Sequence, residues 1–194
     1  MDKQSPPMVS VGIPVYNSVQ RFGGETILRQ SLDSLLAQDY PNMEFVLVDN
    51  ASTDGTWAVC EEYAAKHKQV RAYRNETNIG LHGNLNRAFE LCEGPYFMIG
   101  SDDDYWEPTF ASQCVAVLEA NPDIDLCYPL IEERNLVKDT HYLRSHRVKD
   151  HFTTPARRAA HLLRFKTRPQ TIILGVFRRE ALAGLMPLQK IPNG

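Results

Sequence analysis

The sequence lacks the motifs that mark several common nucleotide and hydrolytic sites. No Gly-x-Gly-x-x-Gly follows any predicted strand and no Gly-x-x-x-x-Gly-Lys-Ser/Thr occurs in the 194 residues, which argues against dinucleotide dehydrogenases and P-loop enzymes. A Gly-x-Ser-x-Gly nucleophile elbow is also missing, which argues against an α/β-hydrolase. Any nucleotide chemistry must therefore depend on other residues.

Metal-binding cysteines and long apolar runs are absent as well. The four cysteines have no short spacing typical of zinc ligands, and three of them fall on the apolar faces of predicted helices. His141, His146 and His151 recur every five residues, a spacing that fits neither one helix face nor a zinc site, so we interpret them as loop histidines. No apolar run approaches the roughly 20 residues that a membrane-spanning helix needs. Met1 to Met8 does not resemble a signal peptide, and we expect a cytoplasmic protein.

Charge is unevenly distributed along the chain. The formal net charge of −3 argues against a nucleic-acid partner held by a basic surface. The segment 138–168 differs, because it carries nine lysines and arginines against two aspartates. Two interpretations stay open, a solvated helix face with its loop or an anion-binding patch. The second would allow peripheral contact with the inner face of a membrane.

Strand and helix patterns alternate through the first two thirds of the chain. The predicted strands are Val9 to Pro14, Phe45 to Val48, Val70 to Arg74, Tyr96 to Ile99 and Leu126 to Leu130. Helical stripes lie between them, and this alternation predicts a single α/β domain with a Rossmann-like, mostly parallel sheet flanked by helices. After Leu130 only a helix at 159–165 and an apolar run at 171–177 are expected.

Asp49 ends the second predicted strand. The consecutive apolar residues before it are typical of a strand buried in a parallel sheet, and ligands of open α/β sheets bind at the carboxyl edge where strand order reverses. Ser52, Thr53 and Asp54 are better placed than Asp49 to cap the next helix. Asp49 is therefore predicted to accept hydrogen bonds from a ligand.

Three adjacent carboxylates, Asp102, Asp103 and Asp104, follow the fourth predicted strand. They repel one another unless a cation or hydrogen-bond donors offset their charge. Mg²⁺ and Mn²⁺ prefer hard oxygen ligands and often complete their coordination with substrate phosphates. We therefore predict a site for a divalent metal and a diphosphate here, rather than an ordinary solvated turn.

Together these segments resemble the nucleotide-binding half of the family 2 glycosyltransferases, which have the GT-A fold. The resemblance covers Val9 to about Leu130, and its motifs occur in the order found in the family. They are Pro14-Val15-Tyr16-Asn17, Val48 to Thr56, Asn78-Ile79-Gly80 with Asn86, and Ser101 to Asp104 followed by Tyr105-Trp106.

The resemblance implies a nucleotide-sugar donor, usually a UDP-sugar, bound with Mn²⁺ or Mg²⁺. The nucleotide-binding residues that it indicates are Pro14, Val15, Tyr16, Asn17, Asp49, Asn78, Gly80, Asn86, Asp102 and Asp103. The segment Pro14 to Tyr16 would line the base, Asp49 would accept a hydrogen bond from the uracil ring, and Asp102 would contact the ribose side. Asp103 is the expected main metal ligand, with Asp104 as the alternative.

The resemblance also implies transfer of the sugar to an acceptor hydroxyl with inversion of the anomeric centre, in cell-surface polysaccharide or glycoconjugate synthesis. The metal would stabilise the departing nucleoside diphosphate. Two alternatives stay open. One is a nucleotide-sugar binding module without transfer activity. The other is a nucleotidyltransferase, although Pro14 to Asn17 stands where that class carries a glycine-rich, lysine-bearing loop.

The sequence departs from the family pattern in three ways. Ser101 stands where an aspartate is commonest, which leaves open which two acids hold the metal, and Leu85 stands where a basic residue is frequent. The family's catalytic carboxylate follows a strand like that at 171–177, yet no acid occurs after Gly184. We therefore expect the general base beyond Gly194 in a longer natural chain, with 8–130 as the nucleotide-sugar half and 131–194 as part of the acceptor half. If the base lies inside the chain, Glu132 and Glu133 are the next acids to test.

Overall fold

The computed structural model of the protein describes residues 5–128, 131–135, 140–144, 174–184 and 186–188. Its strands are β1 (Val9–Val15), β2 (Met43–Asp49), β3 (Val70–Arg74), β4 (Tyr96–Ile99), β5 (Leu126–Cys127), β6 (Ile131–Asn135), β7 (Thr140–Arg144) and β8 (Val176–Arg178). Its helices are α1 (Ser18–Arg21), α2 (Thr26–Leu36), α3 (Thr56–Lys66), α4 (Gly80–Leu91), α5 (Phe110–Ala120) and α6 (Arg179–Ala183). Within these ranges no helix has the length and apolar character that a membrane crossing requires.

Six of the strands form one sheet in the order β3-β2-β1-β4-β8-β5. The first four strands are parallel to one another, whereas β8 lies antiparallel between β4 and β5. This arrangement confirms the predicted α/β class. Because β2 and β3 add to one side of β1 and β4 adds to the other, the strand order reverses at β1. Ligands of open α/β sheets bind at such a reversal, beyond the carboxyl ends of the strands.

The apolar run of β2 is explained by helices on both faces of the sheet. Phe45 and Leu47 pack in the cluster formed with α2, α3 and α5. Val46 and Val48 point the other way, into a second cluster with Phe89 of α4. Since successive side chains of a strand alternate between faces, both sets must be apolar. The missing alternation in the sequence thus reflects burial on both sides.

The described part also contains a pair of strands that the sequence did not predict. Strands β6 and β7 pair antiparallel as a separate two-stranded sheet, and His141, which we interpreted as a loop histidine, lies in β7. The segment Ile131–Asn135 is mostly charged or polar, so it lacks the apolar pattern from which strands are predicted. The predicted helix at 159–165, residues 171–173 and most of the basic segment 138–168 lie outside the described residues.

A half-buried polar cluster lies at the amino end of the sheet, opposite the predicted site. The Glu44 carboxylate accepts hydrogen bonds from the Ser10 hydroxyl and from the backbone N–H of Glu93, and it forms an ion pair with Arg71 at 2.5 Å. Desolvation works to raise the pKa of Glu44, but these donors outweigh it and the pKa is lowered overall. The ionised form of Glu44 is therefore favoured by folding.

We expect Glu44→Gln to lower the free energy of unfolding by about 1–3 kcal/mol at pH 7, because hydrogen bonds to a half-buried charge are lost. A carboxylate whose pKa is lowered on folding stabilises the protein above its unfolded-state pKa, and this contribution is lost as the pH falls through the folded-state value. Denaturant unfolding at pH 7 and pH 4 should therefore show a smaller difference between variant and wild type at pH 4. Glu90→Gln on the exposed face of α4 is the matched control, and an equal loss in both variants would contradict the assignment.

Candidate functional site

The predicted site residues converge at the carboxyl edge of the sheet. Val15, Asp49 and Arg74 lie in one row across β1, β2 and β3. On the other side of β1, Ile99 pairs with Gly12, so the acidic run that follows β4 starts beside the last residues of β1. Asp49 and the acidic run therefore flank the end of β1, at the reversal of strand order.

Asp49 is fully buried and only partly satisfied. Its Oδ2 accepts a hydrogen bond from the backbone N–H of Ser52 and lies 3.1 Å from Arg74 Nε. Its Oδ1 has no hydrogen-bond partner in the part of the chain that the structure describes. A buried acceptor left unpaired costs about 1–3 kcal/mol, and such groups are rare in folded proteins. Asp49 Oδ1 is thus a buried acceptor that the described residues leave unsatisfied.

Arg74 is held beside this carboxylate by two further contacts. Its Nη2 donates to the carbonyl oxygen of Ser52 at 2.6 Å, and its guanidinium lies over the ring of Trp57, 5.6 Å from the centroid. The Arg74 side chain is nevertheless 43% exposed. Sequence reasoning did not identify Arg74, although its position at the end of a predicted strand next to Asp49 was a usable signal.

Asn17 joins the loop after β1 to the loop after β2. It adopts a left-handed backbone conformation with φ of 46°, which asparagine tolerates better than most residues. Its backbone N–H donates to Ser52 Oγ at 2.9 Å, and its Oδ1 accepts from the N–H of Thr53 at 2.8 Å. Asn17 therefore lies at the candidate site, and these two hydrogen bonds connect it to Ser52 and Thr53.

The helix cap predicted for Ser52 or Thr53 is wrong. Helix α3 begins at Thr56, after Gly55, with no side-chain cap. Gly55 holds the N-cap position, so Ser52 and Thr53 lie too early in the chain to cap α3, and Ser52 Oγ instead accepts from the backbone N–H of Asn17. Asp54 does act at the helix start as expected, since its Oδ1 accepts from the N–H of Thr56 at 2.9 Å.

A network of asparagine side chains supports the other side of the Asp49 loop. Asn50 Nδ2 donates to Asn78 Oδ1 at 2.8 Å, while Asn50 Oδ1 accepts from Asn75 Nδ2 at 3.0 Å. Asn75 also donates to Asn84, which in turn donates to the carbonyl oxygen of Val48 at 2.8 Å. The network ties the end of β2 to the start of α4.

Asn78 and Gly80, both predicted to bind nucleotide, lie in or beside this network. Asn78 Oδ1 also accepts from the N–H of Gly80 at 2.8 Å, and Gly80 has φ of +77°, a conformation that favours glycine. Asn84 was missed by sequence reasoning. Its polar side chain on the buried face of α4, which it shares with Leu85 and Ala88, was the available signal; Leu81, which belongs to the same apolar pattern in the sequence, is exposed in the structure.

The structure places Asn86 apart from the asparagine network. Its Nδ2 donates to the carbonyl oxygen of Leu188 at 3.1 Å, and its Oδ1 accepts from the N–H of Leu188 at 2.7 Å. Both ends of this amide are therefore engaged by the backbone of a segment 102 residues away. Its predicted contact with nucleotide stays a prediction.

The three aspartates of the acidic run have different environments. Asp102 is buried, accepts from the Ser18 hydroxyl, and lies 2.5 and 2.6 Å from Arg21 Nη2 through its two oxygens. Desolvation raises the pKa of Asp102 in spite of these partners. Asp103 and Asp104 are exposed, and Asp103 is bonded to the Ser101 hydroxyl of the same loop. Desolvation, followed by the charge of Asp103, raises the pKa of Asp104.

This donor set fits a divalent cation shared with phosphates. Among the described residues no three histidine, cysteine, aspartate or glutamate side chains form a complete metal cage. Mg²⁺ and similar ions commonly bind through one or two carboxylates, with substrate phosphates and water supplying the rest. Asp103 and Asp104 can supply two carboxylates facing solvent, whereas Asp102 is engaged by Ser18 and Arg21.

The predicted base-lining segment is placed at the same edge. Val15 is buried, Pro14 is half-buried, and Tyr16 is 39% exposed at the end of β1. An aromatic ring there can pack against a planar base while its neighbours remain part of the core.

The chain is similar to known proteins in sequence and in fold. Residues 10–185 match the family model described as glycosyl transferase family 2. The uncharacterized glycosyltransferase MJ1057 of Methanocaldococcus jannaschii is 29% identical over 144 residues, which are 72% of this chain and 47% of that protein. The chain spans less than half of the length of the curated relatives that it matches.

Two solved structures share the fold. The structure of S. aureus TarS 1-349 in complex with UDP gives a TM-score of 0.65 at 24% identity, covering 92% of this chain and 48% of that one. The mannosyltransferase PcManGT from Pyrobaculum calidifontis, in complex with GDP-Man and Mn²⁺, gives a TM-score of 0.64 at 22% identity, covering 95% and 48%.

Proposed function

The chain belongs to the family 2 glycosyltransferases, and on that premise we propose that it binds a UDP-sugar at the carboxyl edge of its sheet and transfers the sugar to an acceptor hydroxyl. The observation that carries this proposal is that Asp49 Oδ1 is buried and has no hydrogen-bond partner among the described residues. The ring N–H of uracil is a donor that would satisfy it. The GT-A neighbours TarS and PcManGT, solved with UDP and with GDP-Man, support a nucleotide-sugar ligand.

The arrangement around Asp49 favours uracil over the other bases. Uracil presents one ring N–H between two carbonyl oxygens, and the site offers one free carboxylate oxygen next to the guanidinium of Arg74. Guanine presents two adjacent donors, but Asp49 Oδ2 already accepts from Ser52. Cytosine and adenine present an unprotonated ring nitrogen at the corresponding position, which a carboxylate repels.

The diphosphate would lie towards Asp103 and Asp104. These two residues would hold Mn²⁺ or Mg²⁺, which when bound offsets the negative charge that grows on the departing diphosphate. Asp49, with Tyr16 and Arg74, would fix the nucleoside so that the anomeric carbon faces the acceptor. Direct displacement by the acceptor hydroxyl would then invert that centre. A role in cytoplasmic synthesis of cell-surface polysaccharide or glycoconjugates belongs to the same proposal.

The test is a comparison of donor classes. The protein is titrated with UDP and UDP-sugars with and without Mn²⁺, and release of UDP from UDP-sugars is followed in the presence of candidate acceptors. Metal-dependent UDP-sugar binding with release of UDP supports a transferase. Binding without release supports a binding module, and pyrophosphate release from UTP and a sugar phosphate would support a nucleotidyltransferase instead.

A further inference from the structure

The carboxylate of Asp102 is held by two residues from a distant part of the chain, and we call the contacts among Ser18, Arg21 and Asp102 the clamp. Ser18 and Arg21, at the two ends of the four-residue helix α1, both contact its carboxylate, 84 and 81 residues away in sequence. The Asp102 side chain is only 9% exposed, while that of Arg21 is 49% exposed. Asp103 and Asp104, directly after Asp102, remain exposed. The clamp therefore fixes one member of the acidic run and leaves the next two facing solvent.

Helix α1 is itself held by residues of the segment that follows Asp49 at the end of β2. The N–H of Val19 donates to Thr56 Oγ1 at 3.2 Å, and the N–H of Gln20 donates to Asp54 Oδ2 at 2.7 Å. A helix of one turn has no stability of its own, so its position depends on these bonds and on Asn17. A continuous set of contacts thus runs from the Asp49 loop, through α1, to the acidic run.

We propose that Asp102 is a positioning residue, which with Ser18 and Arg21 sets the backbone of the acidic run so that Asp103 and Asp104 can bind metal. This inference rests on the proposed function. The ribose contact expected from the resemblance stays a prediction, and the positioning role is argued from a different observation, that both carboxylate oxygens of Asp102 lie within 2.6 Å of Arg21. In metal sites, groups that orient the ligands commonly change metal affinity about 10- to 100-fold when removed.

If Arg21 and Asp102 acted on the metal through their charges alone, removing them would change metal affinity in opposite directions. A positioning role predicts the same direction for both, so the two roles can be distinguished. Removing Arg21 makes the surroundings of Asp103 more negative, which by charge alone strengthens cation binding. Removing the charge of Asp102 makes them more positive, which by charge alone weakens it. A positioning role requires that both changes weaken metal-dependent binding, in spite of their opposite charges.

The variants are Arg21→Gln and Asp102→Asn, with Arg29→Gln as control. Arg29 lies on α2 and pairs with Glu25 and Glu62, so its loss removes a cation without touching the clamp. Calorimetry measures the affinity for UDP with Mn²⁺ and for uridine without metal, and thermal unfolding reports on the fold. We expect the Mn²⁺-dependent affinity for UDP to fall about tenfold or more in both Arg21→Gln and Asp102→Asn. The affinity of both variants for uridine should stay unchanged. Arg29→Gln should bind UDP and uridine as wild type does.

The double variant Arg21→Gln/Asp102→Asn should lose no more than the worse single variant, because both changes break one contact. Tighter metal-dependent binding in Arg21→Gln, or wild-type affinity in either variant that folds, would overturn the positioning role. If wild-type protein binds no UDP with Mn²⁺, the proposed function itself fails. The two failures are therefore distinguishable in the same set of titrations.

Discussion

Asp103→Ala should abolish the Mn²⁺-dependent part of UDP binding and leave the fold intact. Asp103 is exposed at the surface, and its recorded hydrogen bonds are to Ser101 in the same loop. Removing one of three adjacent negative charges relieves repulsion in the free protein, so no loss of stability is expected. The loss falls on the cation, which exchanges a carboxylate ligand for water. Calorimetry of UDP binding with and without Mn²⁺ measures the effect.

Two companion variants make this prediction specific. Asp123→Ala removes an exposed aspartate near the end of α5, away from the acidic run, and should bind UDP as wild type does. Asp104→Ala should weaken metal-dependent binding less than Asp103→Ala. Unchanged metal-dependent affinity in Asp103→Ala would remove Asp103 from the metal site, and a larger loss in Asp104→Ala would transfer the main role to that residue.

The position of the candidate site residues in the sheet could be predicted from the sequence, because local patterns determine it. Apolar runs without alternation predict strands buried on both faces, and the structure places Phe45 to Val48 between two clusters of core residues. Where such a run stops at a carboxylate, the carboxylate must lie at the carboxyl edge of the sheet. Asp49 and the acidic run were identified in this way, and strand order at β1 brings them to the same place.

The separate roles of neighbouring polar residues could not be predicted from the sequence. Asp102, Asp103 and Asp104 are equivalent in a local pattern, and only the contacts from Ser18 and Arg21 distinguish Asp102. Those contacts depend on how α1 packs, which in turn depends on side chains of the loop after β2. Polar partners separated by many residues carry no periodicity, so their pairing becomes visible only once the chain is folded.

The contacts of Asn17 could not be predicted from the sequence either. The resemblance implies a nucleotide contact for Asn17, which stays a prediction, while the structure shows that its backbone N–H and its side-chain oxygen bond to Ser52 and Thr53. The motif Pro14 to Asn17 and the segment Ser52 to Thr56 are thus linked directly. Two of the four motifs that carried the resemblance therefore form one scaffold, which connects α1 to the Asp49 loop.

Asp49→Asn should weaken UDP binding by about 1–3 kcal/mol, or about 5- to 150-fold. The substitution preserves shape, and the amide oxygen can still accept from the N–H of Ser52. At the position of the free Oδ1 it places an NH₂ group, which cannot accept from the ring N–H of uracil. Arg74 also loses its ionised partner, which lies at 3.1 Å. Titration with UDP and with CDP, at fixed Mn²⁺, measures the change in affinity and in preference.

The ratio of UDP to CDP affinity is the decisive quantity, because a loss of fold would lower both affinities together. An amide N–H facing the unprotonated ring nitrogen of cytosine is favourable where the carboxylate is repulsive, so the variant should bind CDP relatively better than wild type does. Asp54→Asn makes the same chemical change in the same loop, at a residue that accepts from the backbone of Gln20 and Thr56, and should leave the ratio unchanged. If Asp49→Asn also leaves the ratio unchanged, Asp49 supports the loop and Arg74 without reading the base, and the unpaired Oδ1 has another partner.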